Sequence, residues 1–188
     1  MRSDLFNEAT TEVESTELFV KQNSKMLKAS LHAGNVRARL GTMIAYQGQA
    51  DFNYESMTFD AAGLKKALKK VVTGEGLDLM QVSGNGEVFF ADQAADVHII
   101  ELENDAISIN GMSVLAFSDT LDWDIELIRS AGMMSGGLFN TKVAGTGQVA
   151  VTTKGTPVVL RVDAAPTYVD PDAVVCWSTG LQIKAEMS

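Results

Sequence analysis

Hydrophobic and polar positions along the chain follow the pattern of short β-strands. Runs rich in Val, Ile, Phe and Thr are bounded by Gly, Asn and Asp, which punctuate strands with turns. A first strand is expected at Leu18-Phe19-Val20, and others at residues 87–90, 96–100, 106–109, 147–151 and 158–162. Asn104-Asp105, Asn110-Gly111 and Lys154-Gly155 fall between such runs, where tight turns belong. One stretch has the helical period instead. Within residues 59–71, Leu64, Ala67, Leu68 and Val71 stand at i, i+3, i+4 and i+7, and Gly74 suits a C-terminal stop. A second short helix or turn is expected over residues 121–130.

The pattern also repeats. Residues 76–88 align without gaps to residues 137–149 at a shift of 61, with Gly, Leu, Val, Gly, Gly and Val coinciding. A second signature, two apolar residues followed by a small one and an aromatic, occurs three times. It reads Met43-Ile44-Ala45-Tyr46, Val114-Leu115-Ala116-Phe117 and Val174-Val175-Cys176-Trp177, with Ser118 and Ser178 after the last two. A β unit of this kind cannot bury its apolar face alone, so two or three units are expected to stack about a shared core. In that arrangement the glycine pairs at 84/86 and 145/147 supply the positive φ of hairpin turns, and the aromatics plug the core.

Composition narrows the picture. With 188 residues, 46% hydrophobic and 21% charged, the chain reads as globular and large enough to bury roughly 70% of its unfolded surface. No disulfide or metal staple is needed. The formal net charge of -9 disfavours nucleic acid and anionic lipid as partners. The lone Cys176 cannot pair within the chain and fits a reducing compartment. The N-terminus reads as neither a secretory signal nor a transit peptide, and no apolar run is long enough for a membrane span. A cytoplasmic protein is expected.

Several blocks resemble one known family. They are residues 41–48 (Gly-Thr-Met-Ile-Ala-Tyr-Gln-Gly), the Gly-Glu-Gly-Leu block at 74–77, Leu115-Ala116-Phe117 with Leu121-Asp122-Trp123-Asp124, residues 137–141 (Gly-Leu-Phe-Asn-Thr), and residues 168–178. In this order, over residues 18 to 183, they resemble the altered-inheritance-of-mitochondria protein twenty-four family, whose bacterial members are largely of unknown function. The resemblance implies a β-sandwich of tandem units like the tryptophan RNA-binding attenuation protein, with no established enzymatic activity and no functional residues to carry over. Mitochondrial members are associated with organising the inner membrane, a role not carried over to a chain without a transit segment.

Motifs that carry chemistry are weak. Residues 145–150 match G-x-G-x-x-A, but a dinucleotide site needs a helix after the glycines, and Val149-Ala150-Val151-Thr152-Thr153 favours a strand. His32 and His98 offer Cys176 no evident base partner, and Cys176 in its apolar run reads as a small core residue. Asp119, Asp122 and Asp124, and likewise Asp163, Asp170 and Asp172, lack calcium-loop spacing and suit turns and caps. Lys65, Lys66, Lys69 and Lys70 form one cationic helix face, most simply a solvated one, and Met133-Met134 precede a Gly136-Gly137 turn.

The expected fold is therefore all-β, a sandwich or barrel of tandem repeats with one short helix inserted near 60–72. A mobile acidic segment, 1–17, precedes one compact domain, 18–183, with units of about 18–58, 74–130 and 135–183. The expected function is that of a non-enzymatic interaction or scaffold protein that forms a homo-oligomer and meets a further protein partner. No cofactor, catalytic residue or metal site is expected, and no nucleic acid; weak contact with a membrane surface is allowed. The interaction face consists of Lys65, Lys66, Lys69, Lys70, Met133 and Met134. The alternative is a small-ligand module with a pocket between sheets.

Overall fold

A computed structural model describes residues 3, 5–8, 10–54, 78–128, 138–163 and 165–184. Ten strands form one strongly curled, half-barrel sheet. They are β1 (Phe19–Asn23), β2 (Met26–Ser30), β3 (Val36–Arg39), β4 (Met43–Tyr54), β5 (Leu79–Phe90), β6 (Asp96–Asn110), β7 (Val114–Ser118), β8 (Asp122–Ile128), β9 (Leu138–Thr153) and β10 (Cys176–Ser178). The described helix content is one 3-10 turn, Gly111–Ser113, capped by the Asn110 side chain accepting from Met112 N. The helix expected near 60–72 lies outside the described residues.

The strands β5 and β9 are the two spines. β5 pairs with β4 along one edge, and on the other with β3 through residues 79–82 and β2 through 87–90. β9 repeats this, with β6 along one edge and β8 then β7 along the other. Pairing registers show how closely the halves correspond. Met43 faces Phe90 and Val114 faces Val151, offsets of 71 (43 to 114) and 61 (90 to 151), and each pair is followed by a bulge. The same two offsets carry Val36 opposite Val82 onto Ile107 opposite Val143. The ten-residue difference lies between Tyr54 and Leu79. The internal repeat is thus a repeat of register: β2 and β3 correspond to the two halves of β6, and β4 corresponds to β7 plus β8.

The junction between halves also recurs. β3 pairs with β7, Arg37 opposite Phe117 and Val36 opposite Ser118. β6 pairs with β10 in the same way, Ser108 opposite Trp177 and Ile107 opposite Ser178. The third aromatic signature therefore docks on the second half as the second docks on the first. Even the approach is shared, since Asp170 Oδ1 accepts Asp172 N at 2.8 Å just as Asn110 Oδ1 accepts Met112 N at 3.1 Å.

Two apolar clusters interlock at the junction. Val36, Ala38, Val82, Val88 and Phe90 gather with Leu115 and Ala116; Val143, Val149 and Val151 gather with Val114 and Phe117. β7 is consequently buried throughout, whereas its counterpart β4 contributes only partly buried residues such as Met43, Ala50 and Phe52. At the N-terminal side, the nearly buried Lys28 ammonium meets Glu12 at 2.7 Å and donates to Val13 O at 2.8 Å, with Glu87 at 3.8 Å.

Several expectations are corrected. The glycine pairs are not in hairpin turns but inside β5 and β9, because both spines continue unbroken while their partners change. Gly84 and Gly145 do adopt positive φ, +132° and +125°. Where β4 crosses, Gly48 faces Gly86, and a Cβ on Gly86 would overlap the Gln47 carbonyl oxygen. Asn104-Asp105 is no turn either; it is a bulge within the single strand β6, with Asn104 at φ 53°. Residues 122–128 are strand β8, since hydrogen bonding to β9 overrides the local preference. Residues 158–162 form no strand, and 158–161 are exposed, because no described strand offers them a ladder. Of the three signature aromatics only Phe117 is fully buried; Trp177 is partly buried and Tyr46 stands 51% exposed.

Gly86→Ala is expected to destabilise the protein by about 2–4 kcal/mol, since backbone on backbone has nowhere to move. Gly180→Ala, where an added Cβ meets nothing within 4 Å, should stay within about 0.5 kcal/mol. Denaturant unfolding of both variants checks the contrast.

Candidate functional site

Arg37 alternates with the buried Val36 and Ala38 on β3, so it points away from the core and across the junction. Its Nε lies 2.7 Å from Asp119 Oδ1, and Gln81 Nε2 donates to Asp119 Oδ2 at 2.7 Å. The guanidinium carbon sits 5.7 Å from the centroid of the Trp123 ring, which tilts against Phe117 at 6.3 Å. Asp119 N also donates to Asn35 O at 3.0 Å. Side chains from β3, β5 and β8 thus converge on the short bend between β7 and β8.

Beside this network is an open cleft of about 430 Å³, lined by Leu18, Gly34, Asn35, Thr120 and Gln148 among others. Its polar groups serve the fold. Gln148 Oε1 accepts Phe19 N at 2.9 Å and its Nε2 donates to Glu101 at 2.6 Å. Ser118 Oγ accepts Gln148 N at 2.8 Å, and Thr120 Oγ1 donates to Thr146 O at 3.1 Å. The arrangement is well suited to fastening two halves together. It aims no nucleophile, and the Asp119 carboxylate is held by a cation and an amide.

The other candidates are dispersed. Cys176 lies on β10 opposite Ile109, half-buried, and burial pushes its thiol above the ordinary range. His98 lies eleven residues along β6 from that contact, roughly 36 Å of strand at about 3.3 Å per residue, with Nε2 at 2.9 Å from Thr153 Oγ1. Asp124 Oδ1 accepts Ile125 N and Asp170 Oδ1 accepts Asp172 N, local turn and strand roles. Among the described residues no three His, Cys, Asp or Glu side chains gather as a metal site. Lys65, Lys66, Lys69, Lys70, Met133 and Met134 lie outside the described residues.

Sequence reasoning missed Arg37, Gln81 and Gln148. The available signal was the apolar–polar alternation of Val36-Arg37-Ala38-Arg39 and the Ser118-Asp119 pair directly after an aromatic signature.

Residues 18–188 match the family described as Mitochondrial biogenesis AIM24. The chain belongs to that family. This AIM24-family chain is also similar to a protein of Streptococcus pyogenes known from a crystal structure. The two are 20% identical with a TM-score of 0.67, covering 86% of this chain and 75% of the other, a likeness of fold. Among curated proteins, none matches.

Arg37→Ala is expected to cost about 1–3 kcal/mol, because it strands the Asp119 carboxylate and strips the Trp123 face together. A double-mutant cycle of Arg37→Ala with Asp119→Ala should return coupling of about 0.5 kcal/mol or more. For Cys176, alkylation at pH 8 should run slower in the native protein than in denaturant, as burial shields the thiol and raises its pKa.

Proposed function

We propose that this chain is a non-enzymatic interaction or scaffold protein that self-associates through its sheet edges. The observation that carries the reading is β4. It is a 12-residue strand paired only with β5 among the described residues, and it is exposed over most of its length. Ile44, Tyr46 and Tyr54 are large apolar or aromatic side chains on it that face solvent. A long open edge with apolar side chains invites another strand, which natural sheets otherwise blunt with charge, proline or bulges. A tandem β-unit architecture of the tryptophan RNA-binding attenuation protein kind fits this use, because each unit presents the next with an edge.

The net charge of -9 and the lack of a long apolar helix among the described residues accord with cytoplasmic work on protein partners. Lys65, Lys66, Lys69 and Lys70 are the residues through which weak membrane-surface contact would run. The junction cleft favours a second reading, a small-ligand module, but its polar lining is spent on internal hydrogen bonds.

Size-exclusion chromatography with light scattering at micromolar concentration is expected to give a mass of two or more chains. A clean monomer sinks self-association. A monomer that retains a small molecule in native mass spectrometry moves the assignment to the ligand module.

A further inference from the structure

The registers define one junction rule, used twice. A β3-type segment pairs antiparallel with the aromatic-signature strand of the next unit: Val36, Arg37 and Ala38 meet Ser118, Phe117 and Ala116, and Ile107, Ser108 and Ile109 meet Ser178, Trp177 and Cys176. Each end of this series leaves one half of the rule unfilled.

At the first end is β4. Ala45, Tyr46 and Gln47 occupy the positions of Ala116, Phe117 and Ser118, since Ala45 faces Phe89 as Ala116 faces Ala150, and Tyr46 faces Val88 as Phe117 faces Val149. The side chains differ in burial by what lies across the edge. Phe117 is 0% exposed under the cover of β3, and Tyr46, with no such strand beside it among the described residues, is 51% exposed. At the other end, the offset of 60 that carries Ala116 onto Cys176 and Asn110 onto Asp170 carries Ile107, Ser108 and Ile109 onto Thr167, Tyr168 and Val169. That segment is extended and joins no strand among the described residues, with Tyr168 80% and Val169 53% exposed.

We propose that a second copy of this chain fills the gap: Thr167, Tyr168 and Val169 of one molecule pair antiparallel with Gln47, Tyr46 and Ala45 of the next. The proposal rests on the self-association reading and gives it an interface and a register. The surfaces match in kind, a bare strand edge carrying an aromatic against a bare extended segment carrying another, and directly opposed aromatic pairs stabilise antiparallel ladders. The contact is head-to-tail, so it builds a ring if the rotation closes and a filament if it does not. No hydrogen-bonded pair needs to be broken to form it, because neither segment has a described ladder on that side.

The test is a charge cycle read by sedimentation or light scattering. Tyr46→Lys and Tyr168→Lys should each weaken association at least about tenfold with the unfolding midpoint unchanged, and Tyr46→Lys combined with Tyr168→Glu should restore most of it. A second measurement does not depend on those variants folding well. Tagged Tyr46→Cys and untagged Tyr168→Cys, both in a Cys176→Ser background, are mixed and oxidised. Opposed residues at the ~4.5–5.5 Å of an antiparallel pair lie within disulfide reach, so a tagged–untagged dimer is expected. Association that survives both lysine variants and gives no such dimer overturns this interface while leaving self-association standing. A wild-type monomer overturns both.

Discussion

β5 and β9 each hold hydrogen-bonded partners on both edges, and on one edge the partner changes part-way along the strand. Every other element takes its place from that double use. For β5 the change from β3 to β2 falls at residues 83–86, and for β9 the change from β8 to β7 falls at residues 145–148. A strand that swaps partners must bend and twist more sharply than a regular ladder allows, and this coiling curls a ten-stranded sheet instead of letting it lie flat. Glycine sits at both changes for different local reasons: in β5 a Cβ on Gly84 or Gly86 would overlap the β4 backbone, whereas in β9 Gly145 holds a positive φ and Gly147 lies against the Ser118 and Thr120 side chains.

The junction between the halves combines an apolar and a polar fastening. β7 sends Leu115 and Ala116 into one cluster and Val114 and Phe117 into the other, so neither half closes its core alone. Just outside, Arg37, Asp119, Gln81 and Trp123 join three strands where water has restricted access. Charge-assisted bonds in such a setting hold register more firmly than exposed ion pairs, whose contribution is small. The residues that look most like a site are therefore first of all a clasp, and the cleft beside them is shaped by the same bonds.

Two strands of nearly identical sequence pattern meet opposite fates in this fold. Met43-Ile44-Ala45-Tyr46 and Val114-Leu115-Ala116-Phe117 share a bulge, a spine contact and a register. One is solvent-exposed and the other is the most deeply covered strand of the sheet. Position in the series, not composition, separates them, and the same holds at the far end, where β-prone residues 158–162 find no partner. A finite series of repeats leaves such unmatched ends as a geometric consequence.

All-β character, the repeat and the third aromatic signature were legible in the sequence, because alternation and small-residue spacing are local properties of the chain. Turn identity was not. Glycine pairs and Asn-Asp look alike whether they end a strand or bend it, since positive φ serves both, and only the presence of a partner strand on either side decides. Residues 122–128 became strand for the same reason, drawn into the β9 ladder by long-range hydrogen bonds. The Arg37–Asp119 clasp joins positions 82 residues apart (37 to 119), and no local pattern announces a pair at that separation. Local alternation thus carried most strand-forming segments and their recurrence. The tertiary structure decided which edges were filled, which aromatic was buried and which charges met, because those are properties of neighbours in space rather than in the chain.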